Sequence, residues 1–148
     1  MEVPTDFKEL LALFNANHVE YMIVGGYALA FHGAPRFTGD LDLLVNPTIE
    51  NAARVVAALD AFGFGSLGLT SKDFDHPDQV VQLGVSPVRI DLVTSITGVS
   101  WSEACTSTIT AQYGGVPVSY IGREQFLNNK RATGRKKDLA DLEALGEE

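Results

Sequence analysis

Two carboxylates sit inside one apolar run in Asp40-Leu41-Asp42-Leu43-Leu44-Val45, and this most narrows what the chain can fold into. Alternate side chains of a strand share a face, so Asp40 and Asp42 point one way while Leu41 and Leu43 point into a core. Acids are depleted in strands, and two on one face repel each other unless positive charge lies between them. A fold that keeps them needs a cleft on that face and a cation to fill it. Upstream, the apolar segment Val19 to Val24 ends in Gly25-Gly26. Glycines between a strand and a helix let backbone N–H groups approach an anion closely, near the positive end of the helix dipole. A third acid, Asp91, stands alone in the apolar run Val88-Arg89-Ile90-Asp91-Leu92-Val93. If that strand pairs beside the first, three carboxylates converge. Oxygen ligands without His or Cys suit Mg²⁺ or Mn²⁺ rather than zinc. Such a cluster can hold two ions roughly 3.5–4 Å apart for in-line phosphoryl transfer. With phosphate on the glycines, the implied ligand is a nucleoside triphosphate.

The spacing alone is weak, since ten aspartates in 148 residues give roughly 0.7 such pairs by chance. The chain carries its own decoy, Asp73-Phe74-Asp75, flanked by His76, Pro77 and Asp78 with no strand pattern around it. That pair is expected on a solvated loop. The remaining pattern predicts helices and strands in alternation. Thr5 is expected to cap a helix carrying Phe7, Leu10, Leu11 and Phe14, and Tyr27 to His32 forms a short helix stopped by Gly33 and Pro35. Thr48 caps a helix whose inner face is Ile49, Ala52, Ala53, Val56 and Leu59, ending near Gly63. Two hairpins follow, one turning at Ser86-Pro87 and one at Gly114-Gly115. The tail from Arg123 gives two helices broken near Gly134. The expected class is α/β: one domain over residues 1–148, a mixed twisted sheet flanked by helices, with a helical tail over about 122–148.

Charge is unevenly placed. Net charge is −8, with 13 acidic against 5 basic residues up to residue 122 and six of each after it. Arg123, Lys130, Arg131, Arg135, Lys136 and Lys137 therefore gather in the tail, whereas the acidic body argues against a broad nucleic-acid footprint. The lone Cys105 cannot pair within the chain, so a reducing, cytoplasmic setting is expected and the thiol is expected to be buried. No apolar run approaches the ~20 residues of a membrane span, and the N-terminus lacks a signal-peptide pattern.

Gly25-Gly26, thirteen intervening residues and Asp40-Leu41-Asp42-Leu43 together resemble the signature of the DNA polymerase beta-type nucleotidyltransferase superfamily. Ile90-Asp91-Leu92 is similar to the setting of that family's third acid. Arg36-Phe37-Thr38-Gly39-Asp40 resembles the R-x-T-x-D-x-D form of small bacterial members, including AbiEii-like toxins, and the tail from Asn128 to Leu142 resembles their C-terminal helices. The pair Gly-Gly stands where many minimal members have Gly-Ser. The resemblance implies the nucleotidyltransferase fold and transfer of a nucleoside monophosphate from an NTP, such as ATP, to an acceptor. On it, Asp40 and Asp42 bind both of two Mg²⁺ or Mn²⁺ ions, while Asp91 binds one and helps deprotonate the acceptor. Gly25, Gly26 and Thr38 hold phosphates, with Arg36, Lys130 and Arg135 also at the nucleotide and Asp138 orienting the basic groups. The acceptor stays open between tRNA, a protein and a small molecule, as does an oligomer or partner chain. The competing expectation is a non-catalytic nucleotide-binding or antitoxin-like module of a toxin–antitoxin pair.

Overall fold

A computed structural model describes residues 4–34, 39–85 and 88–147. The expectations resting on Arg36, Thr38, Ser86 and Pro87 lie outside the described residues. In chain order the elements are α1 (Thr5–Ala16), β1 (Tyr21–Val24), α2 (Gly25–Phe31), β2 (Asp40–Val45), α3 (Ile49–Leu59), β3 (Val80–Leu83), β4 (Arg89–Val93), α4 (Trp101–Cys105), β5 (Ile109–Tyr113), β6 (Val116–Tyr120), α5 (Arg123–Thr133) and α6 (Lys136–Ala144). The strands form one mixed sheet in the order β3-β4-β2-β1-β6-β5. β1 runs antiparallel to β2, and β2 runs parallel to β4. The β3–β4 and β5–β6 pairs are antiparallel, as the two hairpin patterns anticipate.

Burial follows the period of each element. All four residues of β1 are buried, as suits a central strand, whereas β2 alternates half-buried Asp40 and Asp42 with buried Leu41 and Leu43. α1 buries Phe7, Leu10, Leu11 and Phe14 and packs against α3 and β6. Its cap position is Pro4 rather than Thr5, which already lies in the first helical turn and makes no capping bond.

Thr48 caps α3 through the Asn51 backbone N–H, 3.1 Å away, but the inward face is rotated from the expected one. Ile49 is 72% exposed and Ala53 exposed, while Asn51, Ala52, Val55, Ala58 and Leu59 are buried. Asn51 explains the rotation: its side chain accepts from the Glu20 N–H at 2.7 Å and donates to the Glu20 and Asn46 carbonyls. A buried amide with its donors and acceptor engaged sits in a core at little cost, and an apolar pattern does not register it.

The Asp73-Phe74-Asp75 loop is tied down from within. Asp73 Oδ2 accepts from the Thr70 N–H at 2.8 Å, Asp75 pairs with His76 at 2.8 Å, and Phe74 between them is fully buried. Cys105 ends the short helix α4 and is exposed, contrary to the buried setting expected for it. Among the described residues no helix is long and apolar enough to cross a membrane.

Candidate active site

Sheet register brings the three acids together. Asp42 lies opposite Val24 on one side and opposite Asp91 on the other, while Asp40 lies opposite Arg89. The acids of β2 and β4 thus share one face near the start of α2. α2 begins at Gly25 itself, so the glycine pair forms the first helical turn. Gly25 has φ +67°, a left-handed conformation open to glycine at no steric cost. A Cβ there would collide with the Asp42 carboxylate, lying 2.8 Å from its Cγ. The missing side chain is the space that the Asp42 carboxylate occupies.

The carboxylates do not share one fate. Arg89, two residues before Asp91, places Nη2 2.9 Å from Asp40 Oδ2 and 3.2 Å from Asp91 Oδ2. Among the described residues no ion pair of this kind is formed by Asp42, and its carboxyl is pushed up to about 6. The causes are burial first, then the negative charges of Asp91 and Asp40 and a hydrogen bond of the protonated acid with Asp91, opposed by Lys137. Asp91 is 8% exposed, and its Oδ1 is buried without a hydrogen-bond partner among the described residues.

A cleft of about 340 Å³ joins this cluster to the C-terminal helices, lined by Gly25, Gly26, Asp42, Lys130, Arg135 and Lys137 among others. α5 approaches closely because Gly98 has no Cβ to meet Ala132, and Asn129 Nδ2 donates to the Thr97 carbonyl at 2.9 Å. The two expected basic residues behave differently. Lys130 is buried, with Nζ 3.3 Å from Asp138 and 3.1 Å from Asp141. Arg135 keeps an exposed side chain and reaches the buried Asp138 with Nε at 2.7 Å. That guanidinium, foremost, holds the Asp138 carboxyl well below the usual carboxylate range. Arg135 and Asp138 also close a capping box at the start of α6. Asp138 thus contacts both basic residues, and Lys130 lines the cleft with its charge already matched.

Arg89 and Lys137 escape the sequence reading. Arg89 has a usable signal: in a strand, a residue two before Asp91 shares its face. Lys137 stands in the basic cluster of the tail, but its side-chain direction depends on where α6 begins, so that cluster alone does not put it in the cleft.

A divalent cation fits the donors only in part as they stand. Among the described residues no group of three or more His, Cys, Asp or Glu stands ready to hold a metal ion, and Arg89 pairs with two of the three acids. The chemistry fits nonetheless: hard carboxylate oxygens, one of them buried and without a hydrogen-bond partner among the described residues, on a face with excess negative charge.

No protein-family model matches the chain, and no curated protein matches it significantly. Solved structures do resemble it. TM1012 of Thermotoga maritima, a candidate nucleotidyltransferase, aligns with a TM-score of 0.64 at 12% identity, over 93% of this chain and 88% of its own. The antibiotic-resistance factor ANT(2'')-Ia aligns with a TM-score of 0.60 at 15% identity, over 95% and 80%. An antigenic nucleotidyltransferase-like protein of Paracoccidioides brasiliensis aligns with a TM-score of 0.54 at 18% identity, over 97% and 75%. Identities this low speak to architecture, and the architecture of this chain is the nucleotidyltransferase fold.

Proposed function

We propose that the protein is a metal-dependent nucleotidyltransferase that moves a nucleoside monophosphate from an NTP to an acceptor hydroxyl or amine in the cytoplasm. The observation that carries this reading is the single cleft in which Gly25 and Gly26, the under-compensated Asp42 and the basic residues Arg135 and Lys137 meet. Asp40, Asp42 and Asp91 are the residues that would hold Mg²⁺ or Mn²⁺, one ion or two. The bound ion supplies charge neutralisation at the transferred phosphoryl group and lowers the pKa of the acceptor.

The chain's own groups do the rest. Gly25 and Gly26 would offer backbone N–H groups to the β- and γ-phosphates at the start of α2. Arg135 and Lys137 face the cleft as exposed cations and offset charge on the departing pyrophosphate. Lys130 serves them indirectly, by fixing Asp138 and Asp141 beneath the cleft. Asp91, opposite Asp42, would take the acceptor's proton as the oxygen or nitrogen attacks the α-phosphorus. The acceptor is a tRNA, a protein or a small molecule; membership of the AbiEii-like branch would bring a toxin role with it.

One observation favours the second reading, a nucleotide-binding module without transfer: Arg89 already supplies a cation to two of the three acids. Turnover separates the readings. The protein is incubated with each of four α-³²P-labelled NTPs, Mg²⁺ and a cell extract. The expected outcome is Mg²⁺-dependent label on one acceptor class, lost in Asp42→Asn. Nucleotide binding with no label transferred would establish the binding module instead.

A further inference from the structure

Arg89 stands where an ion would be drawn. Register places it opposite Asp40 and Asp91 opposite Asp42, and one nitrogen, Nη2, serves Asp40 at 2.9 Å and Asp91 at 3.2 Å. A guanidinium keeps its charge at any pH a protein meets, so this counter-ion cannot be removed by deprotonation. The fit is incomplete. Strong arginine–carboxylate pairs are bidentate, two nitrogens on two oxygens, whereas here one nitrogen is divided between two acids. Arg89 Nε and Asp91 Oδ1 are both buried without hydrogen-bond partners among the described residues. The side chain is 34% exposed, so solvent is within its reach. A group built only to stabilise the sheet would satisfy those atoms.

We propose that Arg89 is a built-in counter-ion that holds Asp40 and Asp91 in the metal-free protein and swings out when a divalent cation enters, thereby setting the affinity of the site for that cation. The proposal rests on the nucleotidyltransferase reading for the existence of a metal site. It assigns Arg89 a positioning role, since it acts through the carboxylates and touches no substrate. A bound ion must separate two ion pairs before it gains its own ligands. Affinity for the free ion is therefore held down, and the acids are kept from collapsing apart while they wait.

Free Mn²⁺ in titrations of the full chain, followed by electron paramagnetic resonance, tests this directly in wild type, Arg89→Gln and Arg89→Lys. With two partly exposed ion pairs no longer competing, Arg89→Gln should bind Mn²⁺ on the order of tenfold more tightly. Arg89→Lys, a compact ammonium less able to span two acids, should fall between. A merely structural role would leave the affinity unchanged or weaken it, and either result in Arg89→Gln overturns the proposal. If the Gln variant does not fold, Arg89→Lys and a wild-type measurement carry the test: the Nη resonances of ¹⁵N-arginine-labelled protein. These should show hindered rotation for Arg89 without metal and free rotation with Mg²⁺, and a signal indifferent to Mg²⁺ overturns the proposal. Failures are distinguishable. Wild type that binds Mn²⁺ beside an unimproved Gln variant sinks this inference alone, whereas no Mn²⁺ binding by any of the three sinks the metal reading with it. Binding by Arg89→Gln and not by wild type would be the strongest support.

Discussion

Asp138 on α6 and Asp42 on β2 belong to neighbouring acid clusters around one cleft, and their surroundings treat charge in opposite ways. Asp138 is fully buried yet accepts bonds from Arg135 Nε, Arg135 Nη2, the Arg135 backbone N–H and Lys130 Nζ. Its carboxyl is held far on the ionised side. Asp42 is less buried, meets two other acids, and is pushed towards the neutral form. Depth alone does not separate them, since the more deeply buried acid is the ionised one; the charge supplied around each does. A charge matched on every side supports a structure, whereas an acid left short of cations is one for which the fold keeps a vacancy in its electrostatics.

The largest expected effect strikes the matched cluster. Asp138→Ala leaves the Lys130 ammonium partly stranded in a buried setting and removes the cap of α6. A loss of about 3–5 kcal/mol follows. For a chain of this length that is a fall in Tm on the order of 10 °C. A fall under 2 °C would show that the cluster is not the support described. Next, Gly25→Ala should lose about 2 kcal/mol, since the left-handed backbone costs roughly 1–2 kcal/mol for an L-residue and the new Cβ displaces the Asp42 carboxylate. Asp42→Gly in the same chain should recover part of that loss; no recovery would mean that the contact is not its source.

Asp42→Asn has the opposite sign. In EDTA above pH 6 it should raise Tm by about 2–4 °C, a net gain of ~1 kcal/mol, while abolishing transfer. The pH dependence follows from the raised carboxyl. Between its ordinary value of 3.8 and about 6 the folded state binds more protons at Asp42 than the unfolded state does. Stability contributed by this group therefore falls as pH rises through that window and is level above it. Melts of the metal-free wild type from pH 4 to 7 should show that slope, and Asp42→Asn should lack it. A lower Tm for the variant would make Asp42 a structural acid like Asp138, and the comparison would collapse. The smallest effect belongs to Asp73→Asn with Asp75→Asn: stability within about 0.5 kcal/mol and nucleotide affinity unchanged. Lost affinity there would move the site to the loop.

Much of this contrast was legible in sequence, for identifiable reasons. A strand's period of two has no phase to lose, so Asp40, Asp42 and Asp91 could be assigned to one face and Leu41 and Leu43 to the other. Gly25 was legible as a junction, although that its bare Cα makes room for Asp42 is a tertiary fact. Helical phase was harder to read. Asn51 turned α3 away from its apolar pattern, and the true start of α6 at Lys136 sent Asp138 and Asp141 inward and left Lys137 towards the cleft. Arg89 was overlooked because a cation beside an apolar run ordinarily marks a strand end. Lys130 was recognised as belonging near the cleft, but its two buried acid partners depend on how α5 and α6 fold together.

The register of β2 and β4 reaches beyond the resting structure into how the protein is made and unmade. β1 and β2 are consecutive strands, whereas β4 must wait until α3 and β3 have been laid down before Asp91 meets Asp42. Parallel pairing across a long connection is slow and belongs to the later stages of folding. If β4 pairs with β2 after the rate-limiting barrier, the mutual repulsion of the acids hastens unfolding and scarcely slows folding. A divalent ion captured there would lengthen the lifetime of the folded chain without speeding its birth. Where cleavage outpaces reclosing, a bound ion would then lengthen the time a folded molecule resists proteases.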